Sequence, residues 1–180
     1  MMTPASSDRL TNLLLAAVEV IGIALIFTSF MTWIRFDSTE FLADGPHSSS
    51  VEVTGDDLTG ATDLGDGVVT AVAGALAGVF AIAARLVTGS RTLLAAGIAI
   101  AGLTACGVAA YDTFKDWVGG SGVIVAVEVN VTLYAAMMVT AVLGLAQGLA
   151  GITLFLMAQR TAEGEDLEAA TDDSEEEALA

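Results

Sequence analysis

Four long apolar stretches, residues 13–34, 68–87, 93–111 and 133–157, each come close to the ~20 residues that an α-helix needs to cross a bilayer core. Hydrophobic residues make up 54% of the chain and charged residues 16%. The charges fall almost wholly between or beyond the apolar stretches, whereas a soluble fold would scatter them along every helix. The expected fold is an all-α membrane protein, a four-transmembrane-helix bundle whose first partner is the lipid bilayer of the cell membrane.

Spans and connectors account for nearly every residue. One membrane domain, residues 11–158, is therefore expected between a short N-terminal segment, 1–10, and a tail, 159–180, with no room for an independent soluble catalytic domain. The first apolar run also exceeds the ~7–15 residues of a signal-peptide core and ends without a small-x-small cleavage site, so it is expected to remain as an anchor. The start Met1-Met2-Thr3 offers no glycine for myristoylation.

The net charge of −16 is unevenly placed. The tail after Arg160 holds nine acids and no base, and residues 35–66 hold eight acids against Arg35 alone. Such acidity argues against nucleic acid and against anionic lipid head groups as partners, since both require clustered Lys and Arg. It matches the acid-rich, lysine-poor habit of salt-adapted proteins, Lys115 being the single lysine; a chain that simply carries an acidic tail reads the same way. With few aromatics and so many acids, the tail is expected to be disordered. Cys106 is the only cysteine, so no intramolecular disulfide is possible, and inside the third span it reads as a small packing residue.

Positive charges near span ends set orientation. Arg9, Arg85, Arg91 and Arg160 fall on one side, and Arg35 and Lys115 on the other, which places both termini in the cytoplasm. The short connector Thr88-Gly89-Ser90-Arg91 makes spans two and three an antiparallel hairpin. The outer loops, 35–67 and 112–132, are longer. From Val123 to Val131 every odd position is valine, the period of an extended strand with one β-branched face. Its expected partners are the β-prone segment 50–54, first, and the exit from span one, residues 33–36, second. The result is a small extracellular antiparallel β-cap on the bundle.

Span one ends in Trp33, the acidic loop closes on Gly65-Asp66-Gly67 before Val68-Val69-Thr70, a helical hairpin follows, and a valine strand runs into Leu133-Tyr134. Over residues 11–158 this order resembles a loose group of small, uncharacterised four-span membrane proteins of actinobacteria and halophilic archaea. The plan is also similar to the claudin-type tetraspan arrangement, without that family's loop cysteines and Trp-rich signature. The resemblance implies an architecture and carries no activity.

Within the spans, Glu19 is the sharpest anomaly. It lies about 12–13 Å below the cytoplasmic end of span one at 1.5 Å per residue, where a carboxylate is costly unless partnered. Thr104 and Gln147 lie at similar depth in spans three and four, so the three can form one intramembrane polar layer. That layer reads either as interhelical glue or as a site handling protons or cations. Arg85 is expected to snorkel to the interface rather than reach Glu19. Gly74 with Gly78 and Gly144 with Gly148 form two GxxxG surfaces for close helix packing, within the monomer or in a homo-oligomer. Gly97, Ala101, Ala105 and Ala109 mark a similar stripe in span three.

Asp56, Asp57, Asp63 and Asp66 crowd the loop before span two, but their spacing lacks the EF-hand order. They read as a solvated acidic turn with Asp66 capping span two, so no metal is expected. His47 has no second histidine or nearby cysteine with which to hold zinc and reads as an exposed loop residue. Trp33, Tyr111, Trp117 and Tyr134 sit at span ends, as an aromatic belt does. No cofactor motif and no catalytic constellation stand out. The expected function is that of a non-enzymatic membrane protein, an accessory or scaffolding component that can join a larger membrane complex. The alternative is an oligomeric channel or transporter element using Glu19 and Gln147.

Overall fold

The structure is a computed structural model that describes residues 4–42, 45–54, 65–118, 127–133 and 135–178. Four long helices dominate it: α1 (Pro4–Ser29), α2 (Asp66–Leu86), α3 (Arg91–Val118) and α4 (Ala135–Ala178). Each contains a segment long and apolar enough to cross a membrane: Asp8–Ser29, Asp66–Leu86, Arg91–Thr113 and Ala135–Glu163. Three strands, β1 (Thr32–Leu42), β2 (Gly45–Thr54) and β3 (Val127–Leu133), form one antiparallel sheet in the order β2-β1-β3.

Helix packing follows the chain: α1 lies on α2, α2 on α3, α3 on α4, and α4 returns to α1. Contacts between Gly22 and Gly74, Phe80 and Gly97, Cys106 and Gly144, and Thr28 and Thr140 make every neighbouring pair antiparallel. All four helices thus have one end beside the sheet and the other beside the chain termini. The interior is built mainly from small residues, with Ala77, Ala81, Ala105 and Ala109 fully buried beside Val18, Leu25 and Ile98. Large apolar side chains point outward instead, among them Val20, Phe27, Val79, Leu93, Ile100 and Val142. That inverts the arrangement of a water-soluble helix, whose apolar stripe faces in.

Small residues set how close the backbones come. A methyl group on Gly22 would lie 2.6 Å from the Gly74 carbonyl oxygen, and one on Gly144 would lie 2.5 Å from the Cys106 nitrogen, so neither position admits a side chain without parting the helices. Both contacts are between helices of one chain, and a methyl on Gly148 would similarly meet the Leu103 side chain at 3.1 Å. Gly78 differs, since a methyl there would meet nothing within 4 Å.

The sheet departs from the sequence reading in two ways. Span one was expected to run to residue 34, but α1 ends at Ser29, and residues from Thr32 onward enter β1. β1 is the central strand, so β3 pairs with the exit from span one, the second of its expected partners, Ile34 opposite Leu133 and Phe36 opposite Val131, and not with residues 50–54. Those residues belong to β2 and pair with the other side of β1, Val53 opposite Ile34 and Val51 opposite Phe36. The physical reason is connectivity: β1 and β2 are joined by a tight hairpin, which gives β2 the first claim on one edge of β1. Residues 123–126 lie outside the described residues.

A register irregularity between Thr32 and Ile34 roots the sheet in the helices. Successive strand residues normally face opposite ways, yet Trp33 and Ile34 are both fully buried. The bulge turns Trp33 inward, where it packs with Ala109 of α3 and Met137 of α4. Trp33 is therefore a core residue, not part of an aromatic belt, and its indole Nε1 donates to the Thr28 carbonyl at 2.9 Å. Tyr111 remains half exposed.

Helix α4 also outruns its expected end, since the acidic tail continues it to Ala178. Alanine, glutamate and leucine are strong helix formers, and their propensity favours continuing an established helix even where charge opposes a packed core.

Candidate functional site

Two polar regions interrupt the apolar helices. The first lies between the middle of α1 and the last turn of α2, where Arg85 Nη2 comes 3.3 Å from Glu19 Oε1. Arg85 was expected to snorkel away. Helical side chains lean toward the N-terminus of their own helix, and α1 and α2 run in opposite directions, so Glu19 leans toward the terminal end while Arg85 leans toward the sheet. They meet between the two helices. The contact is an ion pair without an aligned hydrogen bond, because Glu19 Oε1 is buried and accepts none. The side chains retain 26% and 39% exposure, so the pair is neither deeply buried nor fully solvated.

Gln147 belongs to the same depth. Counting seven residues from the Thr28–Thr140 contact toward the terminal end brings Gln147 level with Ile21, within a turn of Glu19. Gln147 is fully buried, and neither its Oε1 nor its Nε2 has a hydrogen-bond partner among the described residues. Thr104 stands apart from both. It is exposed on α3, its hydroxyl donating to the Ile100 carbonyl at 2.9 Å, a bond that satisfies the group within its own helix.

The second polar region forms a collar beneath the sheet. Ser29 of α1 and Thr70 of α2 share a hydrogen bond at 2.7 Å, and each also lies within reach of a carbonyl of its own helix, Leu25 at 2.6 Å and Gly67 at 2.9 Å. Thr140 of α4 donates toward Thr28 Oγ1 at 2.9 Å. Together with Trp33, these groups tie α1 to α2, α4 and β1 at one level.

Two buried carboxylates share this end, and the sequence reading found neither as such. Asp66 is the first residue of α2 and is fully buried; Asp112 is 1% exposed on α3. Counting from the Phe80–Gly97 contact, fourteen residues along α2 and fifteen along α3 bring the two acids level. Asp112 was missed because the apolar run stops at Tyr111, whereas α3 continues to Val118. The available signal was spacing: Asp112 continues the stripe of Ala101, Ala105 and Ala109. Asp66 was expected to cap α2, but Gly65 holds the N-cap position with φ 82° and no side-chain cap bond. Asp66 is instead the acidic residue of the first turn, the end of the helix dipole that favours an acid.

Among the described residues no group of three or more His, Cys, Asp or Glu side chains is placed to hold a metal ion. Asp56, Asp57 and Asp63 lie outside those residues. His47 is exposed, but it lies within β2 opposite Glu40 rather than in a loop. On the sheet surface Arg35 meets Asp37 at 2.9 Å and Glu52 at 3.8 Å, exposed pairs of small energetic weight. Ser38 and Ser49 share a hydrogen bond at 2.7 Å across β1 and β2.

No protein-family model matches the chain, and no curated protein is significantly similar to it.

Proposed function

We propose that the chain is an integral membrane protein whose four helices form a bundle across the cell membrane, with both termini in the cytoplasm and the sheet outside. Support comes from the outward-facing apolar residues, which suit lipid and not water, and from the excess of Arg9, Arg85, Arg91 and Arg160 at the terminal end. Its role is non-enzymatic, that of an accessory or scaffolding component holding the outer sheet as a docking platform. The observation that carries this reading is the fixed root of the sheet. Trp33 and Ile34 are locked among α3 and α4, while β2 presents exposed residues from Pro46 to Glu52 as an outer strand.

The second reading, an oligomeric channel or transporter element, draws on the unpartnered amide of Gln147. Against it stands the pairing of Glu19 with Arg85, which gives the carboxylate a structural partner. Proteoliposomes holding the purified protein separate the two. The scaffold reading expects no proton or cation flux above that of empty vesicles. A reproducible flux lost in Glu19→Gln contradicts it.

A further inference from the structure

At the terminal end the helices leave a cleft of about 360 Å³, lined by residues of all four. Its floor is apolar, with Leu15, Ile98 and Leu154 almost fully buried. Its mouth is polar and carries Arg91, Thr92 and Asp8. Arg91 is half buried. Its Nε donates to the Ala84 carbonyl at 3.2 Å, and among the described residues no carboxylate lies within ion-pair distance of its guanidinium. The cleft therefore joins a cation that has no ion-pair partner among the described residues to an apolar floor.

We propose that this cleft binds a single-chain acyl lipid with an anionic head, its oxygens on the Arg91 guanidinium and its first chain carbons against Leu15, Ile98 and Leu154. A small soluble anion leaves the apolar floor wet, and an uncharged hydrophobe displaces water from Arg91 without replacing its hydrogen bonds. An anionic amphiphile satisfies both surfaces. The volume falls at the small end of the ~300–1,000 Å³ usual for ligand sites, which suits one chain rather than two. Asp8 is exposed at the rim, where water and salt screen its repulsion. The chain's net charge of −16 does not gather anionic lipid from a distance, so selectivity rests on Arg91 itself.

The test uses the full-length protein in digitonin, which has no alkyl chain to compete, and three 16-carbon probes: palmitate, palmitoyl lysophosphatidate and uncharged palmitoylglycerol. The expected result is saturable one-to-one binding of a charged probe, at least about tenfold tighter than the uncharged one, with the tighter of the two charged probes identifying carboxylate or phosphate as the head. Arg91→Gln is expected to erase that tenfold gap, and Ala158→Trp, on the cleft wall, to abolish binding of all three. Ala162→Trp replaces it if Ala158→Trp does not fold. Equal affinity for charged and uncharged probes, a charge preference surviving in Arg91→Gln, or no saturable binding overturns the proposal. The inference rests on reading the four helices as spans, and alkaline carbonate extraction of membranes decides that point separately.

Discussion

Glu19 and Arg85 form an ion pair at 3.3 Å between two antiparallel helices, each side chain leaning along its own helix toward the other. Removing one partner is not equivalent to removing the other. Arg85 sits one residue from the end of α2 and reaches water readily when released, whereas Glu19 lies in the middle of α1. Arg85→Gln is therefore expected to lower the thermal stability of the detergent-solubilised protein more than Glu19→Gln, and the double variant to recover part of the loss. A double-mutant cycle is expected to give a coupling of about 0.5–1 kcal/mol, the range for partly solvated pairs and for polar contacts between membrane helices. Strict additivity of the two single variants contradicts the pairing.

Gln147 is the reverse case, a fully buried amide with neither polar atom bonded among the described residues. A buried polar group left without a partner costs about 1–3 kcal/mol. Gln147→Leu, close in volume, is expected to leave stability unchanged or raise it by about 1 kcal/mol. A clear fall in melting temperature points instead to a bound water or ligand on the amide.

Trp33 carries two separable contributions. Trp33→Phe keeps an aromatic ring among Ala109 and Met137 but loses the donor to the Thr28 carbonyl, an expected cost of about 1 kcal/mol. Trp33→Ala also empties the core beneath the sheet and is expected to cost about 3–5 kcal/mol. Denaturation followed by tryptophan-independent far-UV circular dichroism checks both. Equal effects of the two substitutions contradict the buried root of the sheet.

The GxxxG in α2 is asymmetric. Gly74 abuts the Gly22 carbonyl, while a methyl on Gly78 meets nothing. Gly78→Ala is therefore expected to be neutral or slightly stabilising through helix propensity, and Gly74→Ala to cost about 1–3 kcal/mol by forcing α1 and α2 apart. If the two behave alike, the close approach at Gly22 is wrong.

What could be read in advance follows from how information is laid along the chain. The four apolar helices were legible because hydropathy sums over some twenty neighbouring residues and needs no partner. A strand before span four was legible because the alternating valines continue into β3. β1 was legible only in part, as the exit 33–36, since Thr32, Trp33 and Ile34 prolong the apolar run of α1 and blur the change of period. Strand order depends on which connection is shortest, and the pairing of Arg85 with Glu19 depends on which faces of two helices meet. Neither is written in any one segment. Asp112 shows the same limit from another side, because hydropathy ends at Tyr111 although the helix and its buried stripe continue.

The central claim is that the four helices cross a membrane with the sheet on one side and both termini on the other. Single cysteines at Ser49, in β2, and Ser174, near the end of α4, report this directly in a Cys106→Ala background. With a membrane-impermeant maleimide on intact cells, Ser49→Cys is expected to label at once and Ser174→Cys only after the membrane is permeabilised. Labelling of Ser174→Cys in intact cells with Ser49→Cys protected contradicts the orientation, and equal labelling of both before permeabilisation contradicts a membrane between them.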